Sequence, residues 1–275
     1  MKNYFLLKWR TAAFVMRAKG LVCRLALLRD RKKTIITGRW VKTLAIEFTM
    51  IKRNLLRTSA DLLVVGLVAG CATNRQEGRW QAFFEKNTAG WRGYRQTGFP
   101  AKGWVLENGG LHLLPKSGGG DIVTIKKYTD FEFEWDWRMG PKGNNGIKYL
   151  VTEDRPGVPG PEYQMVDDST IPEAHHQTAA FYWVFPPRAD KPLHPPGQWN
   201  HSRLVVRGNH VEHWLNGMKV LAYELGSPEV KTAVAVSKFK NAPGYGEKIP
   251  GHIMITDHTE ETWFRNVRIR ELPSK

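Results

Sequence analysis

The sequence predicts an all-β protein, a β-sandwich or jelly roll carried behind a signal-type N-terminal leader. Three observations predict it. Residues 131 to 138 alternate with a period of two, short extended runs are separated by Asn-Gly and Gly-Asn turn signals, and no long amphipathic helical pattern interrupts them. With 41% hydrophobic and 24% charged side chains, 275 residues suffice for a large folded domain and exclude disorder as a global description.

The leader comes first. The formal charge of +15 is concentrated there: residues 1–49 carry 12 Lys and Arg against Asp30 and Glu47. Lys52, Arg53 and Arg57 follow against Asp61, while the remaining 205 residues hold 26 basic and 23 acidic side chains. A near-neutral body lacks the clustered cationic excess that neutralises phosphates, so no nucleic-acid partner is predicted.

From Met50 the basic residues Lys52, Arg53 and Arg57 precede an uncharged, mostly apolar stretch, Leu62 to Gly70, and then Cys71. At about nine residues this stretch is short of the roughly 20 that span a bilayer as a helix, but it suits a signal-peptide core. Val68-Ala69-Gly70-Cys71 resembles the bacterial lipobox, which implies lipidation of Cys71 and an exported, cell-envelope lipoprotein, periplasmic or at the cell surface. Its membrane partner, outer or cytoplasmic, would then be met through the lipid anchor. The alternative is a buried helix that ends in a cysteine.

Residues 1–49 contain no Pro and no His, whereas all 16 prolines lie from Pro100 onward and all nine histidines from His112 onward. That break reads as an extension upstream of a true start at Met50, with a disordered segment or a basic helix around Phe14 to Leu28 as the alternative. The expected organisation is therefore 1–49 extension, 50–70 signal peptide, 71–79 polar tether and 80–275 folded domain. Cys23 and Cys71 are the two cysteines, so the exported body has no disulfide and draws its stability from core burial.

Within the body, 104–107 and 111–114 flank Asn108-Gly109-Gly110, a hairpin signature because Asn and Gly accept positive φ at little cost. Strands at 122–128 and 130–139 follow. In the second, Phe131, Phe133, Trp135 and Trp137 share one face and Glu132, Glu134, Asp136 and Arg138 the other. The segments 202–207, 210–215 and 219–223, joined by Gly208-Asn209 and Asn216-Gly217-Met218, read as a meander, and 253–256 with 263–271 closes the chain. The Pro-rich stretch from Arg155 to Pro196 reads mainly as a long loop, a frequent carrier of function.

Polar residues in and beside these strands are the candidates for chemistry. The aromatic row reads as core, and the charged row opposite it reads either as a solvated face or as paired carboxylates for acid/base work. Gly143-Asn144-Asn145-Gly146-Ile147-Lys148 is a turn leading into a strand. In Pro161-Glu162-Tyr163-Gln164-Met165-Val166, Glu162 and Gln164 share a face, which presents an acid/base beside a hydrogen-bonding amide as a polyol ligand requires. The alternative there is a polar strand facing water. His175 and His176 read as loop polarity. Asp257 and His258 stand at a strand end, where His can titrate near neutral pH, and Arg265 and Asn266 follow. No His or Cys set with zinc spacing, phosphate-cradling Gly loop or Gly-x-Ser-x-Gly elbow occurs, so no cofactor is predicted with certainty and a carboxylate-held divalent cation stays open.

Taken in order, GNNGIK, PEYQMVDD, TAAFYW, PPGQWNHSRLVV, HVEHWLNGMKV, GHIMITDH and WFRNVRIREL resemble the bacterial 3-keto-disaccharide hydrolase domain family, formerly a domain of unknown function, over roughly Gly78 to Leu272. The resemblance implies a concanavalin A-like jelly roll, frequent export with a lipid anchor, and hydrolysis of oxidised disaccharides or glycosides. Where the family usually has Asn-Ser-Gly-Ile with an Arg close behind, this chain has Asn144-Asn145-Gly146-Ile147 and Lys148; the usual Gln before Asp-His is Thr256. The first change keeps polarity and the second removes an amide.

The implied chemistry follows from a ketone at carbon 3, which acidifies the hydrogen at carbon 2. A base removes it, the glycosidic oxygen at carbon 1 departs, and water adds back. Glu162 is the expected principal acid/base, with His258 and Asp257 assisting and Lys148, or a divalent cation in its place, stabilising negative oxygen. Asp136, Asn145, Gln164, Trp199 and Arg265 are the expected binders of a small saccharide substrate. A non-catalytic carbohydrate-binding lipoprotein of the same fold is the alternative from another class, and a structural lipoprotein that binds a protein partner is a third.

Overall fold

The computed structural model describes residues 12–18, 21–30, 33–36 and 78–274 apart from 156 and 158. The chain divides into two units, 1–74 and 75–275. Strands β1 (Ala12–Ala18), β2 (Leu21–Asp30) and β3 (Lys33–Ile36) of the first unit form an antiparallel sheet in that order. Residues 14–18 and 21–28, for which a helix is one alternative, are thus extended, their backbone groups paired between strands. The signal peptide at 50–70, Cys71 and the tether to residue 77 lie outside the described residues.

The second unit is a sandwich of two antiparallel sheets. The smaller contains β5 (Trp91–Gly93), β8 (Ile122–Thr124), β10 (Asn144–Val151), β11 (Glu162–Val166) and β15 (His252–Ile255), ordered β11-β10-β15-β8-β5. The larger contains β6 (Trp104–Glu107), β7 (Gly110–Leu113), β9 (Phe131–Met139), β12 (Asn200–Arg207), β13 (His210–Leu215), β14 (Met218–Glu224) and β16 (Thr262–Glu271). Their order is β14-β13-β12-β9-β16-β7-β6, and β4 (Gln81–Ala82) pairs with β16.

Local chemistry explains these elements. Asn108 and Gly109 both have positive φ, so β6 and β7 are joined by a two-residue turn, and Gly110 already belongs to β7. A Cβ on Gly110 would lie 2.4 Å from the Phe264 carbonyl, so the residue must be glycine for β7 to approach β16. The meander spans 200–224 with the expected order. The strand expected at 122–128 ends at Thr124. The sequence reading missed the strands β1 to β5 and helix α1 (Pro228–Val236), which is begun by Ser227, whose hydroxyl accepts from the Val230 N–H, and by Pro228 in the first turn.

The period-two alternation of β9 sorts its side chains as expected on the aromatic side. Phe131, Phe133, Trp135 and Trp137 are buried between the sheets. Trp137 Nε1 donates to Ser202 Oγ at 2.9 Å, which satisfies the indole in the core. On the opposite row Glu132 and Glu134 are not solvated. Glu132 and Glu134, only 4% and 8% exposed, lie under arginines from both neighbouring strands. Arg203 Nη1 and Arg270 Nε donate to Glu132 at 3.0 and 2.6 Å, and Arg268 Nε donates to Glu134 at 2.8 Å. The register places Arg203 and Arg268 directly beside Glu134, so the carboxylates are neutralised in a ladder laid flat on the sheet.

Candidate active site

The outer edge of the smaller sheet carries a cleft of about 340 Å³. Its floor comes from adjacent strands: Asn144 and Lys148 from β10, Glu162 and Gln164 from β11. Tyr163 and Met165 point the other way, between the sheets, where Trp135 Nε1 donates to Met165 Sδ at 3.1 Å and the Tyr163 hydroxyl donates to the Trp214 carbonyl at 3.0 Å. Anchoring one face of β11 in the core therefore commits Glu162 and Gln164 to the cleft.

Glu162 is only 5% exposed and stands opposite Lys148 in the β10–β11 register, two residues from the Gly146–Gln164 pair. A Cβ on Gly146 would fall 2.1 Å from Glu162 Oε1, so the carboxylate occupies the space a side chain would fill. His258, from the loop after β15, brings Nε2 within 3.9 Å of Glu162 Oε1. Across the cleft stand Tyr182, from the long loop after β11, and Lys238 and Phe239, from the segment after α1. Lys238 Nζ sits 4.2 Å from the centre of the Tyr182 ring. Among the described residues neither Lys148 nor Lys238 is held in an ion pair.

Of the expected residues, Glu162, His258, Lys148 and Gln164 converge in this cleft, and five do not reach it. Asp257 turns away: its Oδ2 accepts from Gly120 N–H at 2.8 Å and its Oδ1 from Thr259 N–H at 2.9 Å. Its place is to hold the turn that carries His258. Asn145 is fully buried, with Nδ2 donating to the Thr256 carbonyl at 2.8 Å. Its neighbour Asn144 faces the cleft instead, because adjacent residues of a strand point to opposite faces.

Asp136 lies on the larger sheet, where its carboxylate meets His201 Nδ1 and Asn266 Nδ2, each at 2.8 Å. Arg265 donates to the same carboxylate at 3.3 Å and stacks at 4.0 Å on Trp199, so all three residues make a surface cluster of their own. The outward phase of β9 and β16 puts them on the far side of the core from β11. Cys71 lies outside the described residues.

Sequence reasoning missed Asn144, Tyr182, Lys238 and Phe239. Tyr182 had a signal, since it stands in the TAAFYW run, whereas Lys238 had none. His175 and His176 pack on Trp183, at 5.5 and 4.4 Å between ring centres, and His176 also on Tyr182 at 5.5 Å, so they back the cleft wall. Burial lowers the His176 pKa, with His175 adding to the effect. Beneath the floor, burial first and the Glu162 charge second push the Tyr149 phenol well above its ordinary range.

Residues 79–270 match the model of the 3-keto-alpha-glucoside-1,2-lyase-like domain. The chain belongs to this family. It is 32% identical over 228 residues to a 3-keto-disaccharide hydrolase of Bacteroides thetaiotaomicron, covering 69% of this chain and 77% of that protein. Among solved structures, a candidate glycosyl hydrolase of Parabacteroides distasonis superposes with a TM-score of 0.63 at 34% identity, covering 71% of this chain and 94% of that one. A second from the same organism gives a TM-score of 0.54 at 22% identity, over 70% and 100% of the two chains, which is a likeness of fold.

The family member's cleft offers one buried carboxylate, one imidazole, two ammonium groups and two amides. Such a set can move a proton and face a developing oxyanion with positive charge. Among the described residues no three His, Cys, Asp or Glu side chains are grouped to hold a metal ion, so the carboxylate-held cation lacks a ligand set.

Proposed function

We propose that the protein cleaves 3-keto-glycosides in this cleft by deprotonation at carbon 2, elimination at carbon 1 and hydration. The observation that carries the reading is the Glu162 carboxylate, seated over Gly146, opposite Lys148 and 3.9 Å from His258 Nε2. The 3-keto sugars named in the family description and in the Bacteroides relative's name support the substrate class.

In this reaction Glu162 takes the hydrogen from carbon 2 and the electron pair moves onto the carbon 3 oxygen, where the Lys148 ammonium stabilises it. The pair returns to form the carbon 1–carbon 2 double bond as the bond from carbon 1 to the glycosidic oxygen breaks. Protonated His258 gives its proton to the departing oxygen. Hydration reverses the roles: His258 takes a proton from the water that adds at carbon 1, and Glu162 returns its proton to carbon 2. Both residues regain their starting states, and the sum is hydrolysis.

The test is incubation of the protein with a 3-keto disaccharide and its unoxidised parent, with and without chelator. Monosaccharide release from the keto sugar alone, unchanged by chelator, is expected. Glu162→Gln should lower turnover by about 10²- to 10⁴-fold and still bind the sugar. Binding without cleavage by the unaltered protein would overturn the enzyme reading in favour of a carbohydrate-binding module.

Export belongs to the same proposal. The basic run at Lys52–Arg57, the apolar stretch and the lipobox-like Val68–Cys71 support a start at Met50 and an acylated Cys71 at the cell envelope. Mass analysis of the native N-terminus tests this, and a recovered peptide from residues 1–49 would overturn it.

A further inference from the structure

We propose that Asn144 and Gln164 act together as the reader of the hydroxyl at carbon 4 of the oxidised sugar and so set the enzyme's choice of ring. The inference rests on the reading of the cleft given above. Gln164 is 5% exposed, and its Oε1 is buried without a hydrogen-bond partner. Its Nε2 donates to Asn144 Oδ1 at 3.3 Å. A buried side-chain oxygen left unpaired is costly, and on a residue that lines a cleft it has a ligand donor as its natural complement.

The two amides, bonded to each other in the wall of the cleft that both residues line, leave one acceptor on Gln164 and the NH₂ donor of Asn144 for a ligand. Turning both amides over exchanges these roles but still leaves one donor and one acceptor. A sugar hydroxyl is itself one donor and one acceptor, so a single hydroxyl satisfies both. An ether, a methylene or a ketone oxygen satisfies at most one.

The position along the sheet selects which hydroxyl. Glu162 and Lys148 face each other across β10 and β11, while Gln164 and Asn144 lie further along the same two strands. The step from Glu162 to Gln164 is two residues, about 7 Å along the strand. With Glu162 at carbon 2 and Lys148 at the carbon 3 oxygen, the next substituent around the ring toward the amide pair is the carbon 4 hydroxyl.

The experiment compares a 3-keto-glucoside with its 4-deoxy analogue on the unaltered protein and on the Gln164→Leu and Asn144→Leu variants, each checked for native circular dichroism. The unaltered protein should favour the 4-hydroxy substrate in kcat/KM by about 10- to 100-fold. That preference should shrink to near unity in whichever variant folds. A purely structural amide pair would lower both rates alike and keep the ratio, which overturns the inference and leaves the proposed reaction standing. Cleavage of neither sugar defeats the proposed reaction. Titration of both sugars then decides the reader: a hydroxyl preference lost in the variants upholds it, and equal binding or none overturns it.

Discussion

The side chains of Asn145 and Thr256 meet between β10 and the end of β15, in a buried contact that ties the two strands together. Asn145 Nδ2 donates to the Thr256 carbonyl at 2.8 Å, and Thr256 Oγ1 donates to Asn145 Oδ1 at 3.3 Å. Both residues are buried beneath the cleft floor, and Asn145 Oδ1 also accepts the Gly146 N–H at 2.8 Å.

This contact predicts coupling. Asn145→Ser and Thr256→Gln should each destabilise the protein, because each leaves a buried polar partner unmatched or crowded. The double variant should recover part of the loss, with a coupling energy of about 1 kcal/mol. Denaturant unfolding of the four proteins measures it, and strict additivity would break the link between the two side chains.

Gly146→Ala should cost activity more than stability. The new methyl would stand where Glu162 Oε1 now lies, 2.1 Å from the ideal Cβ, so the carboxylate must move away from His258. Misplacing a reacting group by about an ångström costs on the order of 10²-fold in rate, and kcat/KM on a 3-keto disaccharide is the measurement. Unchanged activity would remove Glu162 from the reaction.

His213 predicts acid sensitivity. Its ring is fully buried between the sheets, Nδ1 lies 3.0 Å from the Ala179 carbonyl and Nε2 lies 3.2 Å from the Tyr149 hydroxyl. Burial lowers its pKa from 6.5 to about 4, so the folded protein holds it neutral. The unfolded chain protonates it below about 6.5, hence its contribution is complete above that pH and is lost as pH falls toward 4. A shift of this size corresponds to about 3 kcal/mol. Stability curves between pH 7 and pH 4 should fall less steeply in His213→Gln than in the unaltered protein, once the lower starting stability of the variant is taken into account.

Two sets of variants separate the cleft from the larger sheet. Asp136→Asn and Trp199→Ala loosen the surface cluster with Arg265 and His201, and should lower stability by about 1 kcal/mol or less with kcat/KM unchanged. Asp257→Ala should instead lower kcat, because it frees the turn that presents His258 from Gly120 and Thr259. Thermal unfolding alongside steady-state kinetics distinguishes the two effects.

Much of this protein was legible in one dimension. The alternation of Phe131 to Arg138, the Asn108-Gly109 turn, the meander and the Glu162/Gln164 face follow from local backbone periodicity, which a single strand already possesses. Even the missed helix carried its cue in Ser227-Pro228-Glu229, although its nine residues are too few for a strong periodic pattern. The motif order was sufficient to point to the family. What the chain alone could not decide was which residue of a pair faces outward and which distant segments meet. A one-residue change of phase puts Asn144 rather than Asn145 on the cleft floor, and that phase is set by how β10 pairs with β11 and β15. Lys238 and Tyr182 line the cleft of Glu162 because loops from separate parts of the chain close over one sheet. Asp136 and Trp199 do not, because β9 and the loop that leads into β12 belong to the other sheet, with the aromatic core in between.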